Sequence, residues 1–133
     1  MEIELDGSVT LIEVASVARS IEFYRSALGL KVQQSAGHDG YIGWAWLKRG
    51  NVELMLNAMY EPGEDPSDPD PARMAAHRDT TIFVGCPDVD AAFAHLQALG
   101  VAAEAPHVTH YGMKQLGVRD PDGYSICLQW PTS

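Results

Sequence analysis

The chain has 133 residues, of which 46% are hydrophobic and 20% charged, with 18 acids against 9 bases and a formal net charge of −9. That length and mixture fit a single globular domain over residues 1–133 with a buried core, and the acidic balance argues against DNA or RNA, whose binding rests on Lys and Arg neutralising phosphates. No apolar run approaches the roughly 20 residues of a membrane helix, and the acidic start Met1–Asp6 lacks the apolar core of a signal peptide, so a cytoplasmic protein with no membrane partner is expected.

Val9–Ala15 is rich in β-formers and leads into Val17–Leu28, where Val17, Ile21, Tyr24 and Leu28 recur on one helical face. Ser16 is placed to cap this helix and Gly29 to end it. Leu30–Gln34, Tyr41–Leu47 and Asn51–Leu56 then read as three strands. Glu61–Pro71 holds four prolines and five acids, which predicts an extended linker, followed by a short helix from Pro71, capped by Asp70, to about Arg78. The same order of elements then returns. Thr81–Val84 reads as a strand, Val89–Leu99 as a helix with Val89, Phe93 and Leu96 on its inner face, Asp88 as cap and Gly100 as stop. Strands are expected around Val101–Ala103, Met113–Arg119 and Tyr124–Trp130. The helix ends Ser26-Ala-Leu-Gly-Leu30 and Gln97-Ala-Leu-Gly-Val101 match at a spacing of 71 residues, as a duplicated unit would. Modules over 8–57 and 80–131, joined by a linker over 58–79, follow from this reading. Cys86 and Cys127 fit neither a disulfide framework nor a zinc spacing and are expected as free thiols in a reducing compartment.

The segment Val14–Leu30 resembles the first helix signature of the glyoxalase/bleomycin-resistance/dioxygenase (vicinal oxygen chelate) superfamily. Pro87–Gly100 is similar to the helix entry of its second module, and Asp120-Pro-Asp-Gly-Tyr-Ser-Ile-Cys-Leu-Gln129 to its closing hairpin. The resemblance spans Val9 to Trp130 and implies an α+β fold: two βαβββ modules forming an open, cup-shaped, eight-stranded mixed sheet with the helices outside. It also implies a homodimer whose cleft draws strands from both chains. Metal-dependent members carry ligands on the first and last strands of each module, and the matching positions here are Val9, Glu53, Thr81 and Cys127. A catalytic divalent metal wants imidazole and carboxylate donors, so three of the four positions depart from that pattern and neither metal nor cofactor is expected. The five histidines, His38, His77, His95, His107 and His110, follow no strong metal motif; His110 alone is placed near the expected cleft mouth.

Strand alternation turns the resemblance into a pocket list, because residues two apart share a face. A two-residue turn at Arg49-Gly50 would pair Leu47 with Val52, Trp46 with Glu53, Ala45 with Leu54 and Trp44 with Met55. One face, Ala45, Leu47, Val52 and Leu54, then suits the core, and Trp44, Trp46, Glu53 and Met55 face the cleft. A turn over Asp120–Tyr124 with Gly123 left-handed pairs Arg119 with Ser125, Val118 with Ile126 and Gly117 with Cys127. Ser125, Cys127 and Gln129 then reach the cleft beside Gln115 and Met113, with Phe83 from the neighbouring strand and Glu13 from the first module. Aromatic walls with few polar anchors suit a small molecule, and an indole face beside Glu53 favours a planar or cationic one. Sequestration of such a ligand without metal, as in the bleomycin-resistance members, is the leading expectation. The alternative is a metal-dependent lyase, isomerase or dioxygenase with a rearranged site, or Glu53 as a general base.

Overall fold

The chain alternates strands and helices in two rounds, and each helix is bounded by the residues that the sequence marks for it. The computed structural model describes residues 2–66 and 69–133, so Ser67 and Asp68 of the expected extended linker lie outside the described residues. The first round is β1 (Thr10–Val14), α1 (Val17–Leu28), β2 (Lys31–His38), β3 (Tyr41–Arg49) and β4 (Val52–Ala58). After α2 (Pro71–Ala76) and a 3-10 turn (His77–Asp79) come β5 (Thr81–Gly85), α3 (Val89–Ala98), β6 (His107–Val108), β7 (Met113–Arg119) and β8 (Ser125–Pro131). The Ser16 hydroxyl accepts from the Arg19 amide at 3.2 Å and the Asp88 carboxylate from the Ala91 amide at 2.9 Å, so each helix start has one of its free N–H groups satisfied.

The eight strands form two mixed four-stranded sheets with the same plan. Sheet 1 runs β1-β4-β3-β2 and sheet 2 runs β5-β8-β7-β6; in each, the first strand pairs parallel with the last and the other pairs are antiparallel. One face of each sheet contributes to a single apolar cluster shared by both: Ile12, Val14, Ala45, Leu47, Leu54 and Leu56 from sheet 1, Leu116, Val118, Ile126 and Leu128 from sheet 2. Val17, Tyr24 and Ala27 of α1, Val89 and Leu96 of α3, and Leu30 and Tyr124 complete it. Because successive strand residues point to opposite faces, the remaining face of each sheet is turned away from this core.

Three local expectations need correcting. The buried stripe of α1 is Val17, Ser20, Tyr24 and Ala27, whereas Ile21 and Leu28 are only half-buried at its flanks. The helix is rotated so that Ser20 can donate to Asp122 (3.4 Å) and Tyr24 to Asp120 (2.6 Å), both buried. The β3–β4 turn is Gly50-Asn51, not Arg49-Gly50, so Arg49 pairs with Val52, Lys48 with Glu53, Leu47 with Leu54, Trp46 with Met55, Ala45 with Leu56 and Trp44 with Asn57. Gly50 holds a positive φ of 57° at the first central position, where a two-residue hairpin turn asks for glycine. This register advances every pair by one residue on each strand, so the two faces keep their members. The third correction is at Val101–Ala103, which is not a strand. The Val101 amide is used to close α3 on the Leu96 carbonyl, and only Ala103 bridges to Val118. Pro106 lacks a donor, and pairing resumes at β6, inside the stretch expected as loop.

The closing hairpin pairs as expected, Arg119 with Ser125, Val118 with Ile126 and Gly117 with Cys127, and its turn joins the two rounds. Asp120 accepts from the Asp122 and Tyr124 amides, both at 2.9 Å, and from the Tyr24 hydroxyl. Asp122 accepts from the Ala15 amide at 2.8 Å, and the Tyr124 hydroxyl donates to the Glu13 carbonyl at 3.0 Å. Burial pushes the Asp120 carboxyl above its ordinary range, and burial beside Asp120 pushes the Tyr24 phenol up as well. The linker docks on the same turn: the His77 ring stacks on Tyr124 at 3.9 Å, and its Nδ1 donates to the Asp122 carbonyl at 2.6 Å.

Candidate functional site

The two faces turned away from the core hold the candidate site residues, and they are built differently. On sheet 1, Trp44, Trp46 and Met55 are half-buried, and on the neighbouring β2 Gln34 pairs with Trp46 and Ala36 with Trp44. The Trp46 indole donates to Glu53 at 3.0 Å. One row further, Asn57 donates to both carboxylate oxygens of Glu13, at 3.2 and 3.3 Å. Leu11, beside Met55, stays 46% exposed.

Sheet 2 carries a concavity of about 600 Å³ on its outer face. Its floor is the cross-strand row Phe83–Cys127–Gly117, with Thr81, Ser125 and Gln115 beside it and Glu104 and His107 at the wall. Phe83 is 58% exposed, a large apolar ring with no internal partner covering it. The amide of Gln115 donates to Gln129 at 2.9 Å and to the Tyr111 hydroxyl at 3.1 Å, which orients the polar edge. Cys127 is buried; that burial pushes its thiol up, and the nearby Glu104 carboxylate adds to the effect, so it is no ready nucleophile.

Of the residues singled out in the sequence, Thr81, Phe83, His107, Gln115, Ser125 and Cys127 line this concavity, with Gln129 attached through Gln115. Trp44, Trp46, Glu53 and Met55 share the outer face of sheet 1, so one chain does not gather the whole set into one pocket. Met113 pairs with Pro131 at the far end of β7, and the exposed His110 packs edge-on against Tyr111, outside the concavity lining. Sequence reasoning missed Glu104. Its carboxylate lies over Gly117, where a Cβ would come within 3.0 Å of Oε2, and its amide is fixed by the Gly117 carbonyl at 2.9 Å. The available signal was Gly117 itself, since a glycine inside a strand marks a close approach. A larger groove of about 860 Å³ runs between α1 and α3, but its basic groups are engaged: His95 on the Ser26 carbonyl and Arg49 on the Leu28 carbonyl.

The four inherited ligand positions do not suit a divalent metal. Val9 offers no donor, Glu53 is held by an indole, Thr81 is a neutral hydroxyl at the start of β5, and Cys127 keeps its proton. Among the described residues no three His, Cys, Asp or Glu side chains come together as a potential metal site. None of the described helices is long and apolar enough to cross a membrane.

The profile of the Glyoxalase/Bleomycin resistance protein/Dioxygenase superfamily matches residues 8–128, nearly the entire chain. The chain belongs to that superfamily. Solved structures share the fold of this superfamily member at low identity. TioX from Micromonospora sp. ML1 superposes with a TM-score of 0.74 at 20% identity, over 93% of this chain and 97% of that one. A bleomycin resistance determinant encoded on the transposon Tn5 gives 0.70 at 20% identity, over 97% and 100%. A bleomycin-binding protein complexed with bleomycin gives 0.67 at 20% identity, over 94% and 98%. No curated protein matches the chain by sequence.

Proposed function

We propose that this superfamily member binds and sequesters a planar or cationic small molecule without a metal, a reading supported by structural neighbours named as a bleomycin-binding protein and a bleomycin resistance determinant. The observation that carries the reading is apolar surface outside the core: Phe83 at 58% exposure in the sheet 2 concavity, with the half-buried Trp44/Trp46 wall on the outer face of sheet 1. Exposed aromatic surface edged by a few oriented polar groups is what a ligand site needs and a folding core does not. The donor set argues in the same direction, since Val9, Thr81 and Cys127 are poor partners for a catalytic metal.

We further infer a homodimer in which the outer face of sheet 1 from one protomer meets the concavity of sheet 2 from its partner. Strands β1 and β5 each pair on one side only, leaving an edge free for a second copy, and Leu11 and Phe83 beside those edges are exposed. Such pairing would bring the tryptophan wall and the concavity together around one ligand. Titration of bleomycin and of planar organic cations against tryptophan fluorescence tests the binding reading, with saturable quenching expected. No response to any of them would sink it, as would stoichiometric bound metal that is lost on Glu53→Gln. Sedimentation gives the mass, with a dimer expected and a monomer at micromolar concentration counting against the shared cleft.

A further inference from the structure

Three carboxylates stand on the outer faces of the sheets, and they differ in what already holds them. Glu13 is bonded through both oxygens to Asn57, and Glu53 accepts from the Trp46 indole. Glu104 has no hydrogen bond or ion pair to its carboxylate among the described residues, although its backbone is fixed to β7 by the Gly117 carbonyl. Its position is nonetheless set, because Gly117 leaves the space over which the carboxylate lies. Two basic residues also line the concavity, His107 and Arg119, and the Arg119 guanidinium is turned toward the hairpin turn, where it donates to the Gly123 carbonyl at 3.2 Å.

We propose that Glu104 and Phe83 form the charge-reading subsite of the concavity, seating the positive group of an organic cation above Cys127. The inference rests on the binding reading above and names the ligand class: an apolar body carrying an ammonium, pyridinium or similar cation. The geometry follows from the cross-strand row. Phe83 pairs with Cys127 and Cys127 with Gly117, so Phe83 and Gly117 stand two strands apart, about 10 Å between backbones, and the Glu104 carboxylate reaches in over Gly117 from beyond β7. A cation held between them lies within about 6 Å of both the ring and the carboxylate. Cys127 supplies a small neutral floor between the two groups. On this account Glu53, already bonded to an indole, is a wall residue and does not select charge.

The test compares two probes of one shape, N-methyl-4-phenylpyridinium and neutral 4-phenylpyridine at a pH well above its ring's titration, by calorimetry on the protein. Wild type is expected to favour the cation by about tenfold. Glu104→Gln should cut that preference severalfold while leaving the affinity for the neutral probe unchanged, and Glu53→Gln should retain the preference in full. Preference kept in Glu104→Gln, or lost in Glu53→Gln alone, overturns the assignment but leaves the binding reading intact. Failure of wild type to bind either probe, together with silence in the fluorescence titrations, overturns both. Glu104 is exposed, so its amide variant is expected to fold, and an unchanged unfolding midpoint confirms that the comparison is clean.

Discussion

The outer faces of the two sheets share a strand order and a parallel first-to-last pairing, yet they treat their polar groups in opposite ways. Sheet 1 pairs each carboxylate with a neutral donor and leaves its tryptophans only half-exposed. Sheet 2 leaves Phe83 bare and sets an unpaired carboxylate over a glycine. A repeated unit therefore fixes the frame and the direction of each side chain. What the face does depends on single residues that the repeat does not constrain, Gly117 and Glu104 above all.

The comparison holds only while the seam between the sheets is intact, and breaking it gives the largest expected effect. Asp122→Ala leaves the buried Ala15 amide without its acceptor and should cost about 2–4 kcal/mol, lowering the thermal midpoint by roughly 10 °C. An unchanged midpoint would show that the seam is not what couples the faces. Trp46→Phe sharpens the contrast directly by freeing Glu53 from its donor. It should cost about 0.5–1.5 kcal/mol in denaturant unfolding and add cation affinity to sheet 1. A smaller effect comes from Asp120, whose folded-state carboxyl lies above its usual 3.8 because it is desolvated. Its stabilising contribution is full below that value and is lost as pH rises through the raised one. Stability measured against Asp120→Asn should therefore shift in favour of the variant from about pH 4 toward neutrality. The least conspicuous outcome is chemical: burial raises both Cys86 and Cys127, so each should react with a thiol reagent more slowly than a free cysteine near neutral pH.

Much of this architecture was legible in the chain. The caps Ser16 and Asp88, the order of elements and the closing hairpin's register all follow from local rules, and the family likeness supplied the frame around them. The errors came where a distant partner decides. Ser20 reads as a polar interruption of a helix face until Asp122, a hundred residues on, is brought beneath it. The stretch Val101–Ala103 looks like a strand, but helix termination consumes the first of its amides. The β3–β4 register differed by one pair because either side of Gly50 could have opened the turn. Since that step moves both strands together, the faces of Trp46 and Glu53 were still assigned correctly. Glu104 stayed hidden for a different reason: its position depends on a glycine thirteen residues later in the chain and on how the edge after α3 is laid down.

The docking of His77 on Tyr124 has a consequence for how the halves of the chain are kept together. The stretch Glu61–Asp65 is exposed, whereas both flanks are tied down, β4 within sheet 1 and His77 on the closing hairpin. With Asp120, Asp122 and Tyr124 bridging to α1 and β1, a nick in that stretch should yield two fragments that remain associated and co-elute under native conditions. The covalent connection then serves mainly during folding, when it holds the two halves at a high effective concentration, and becomes dispensable once they have met.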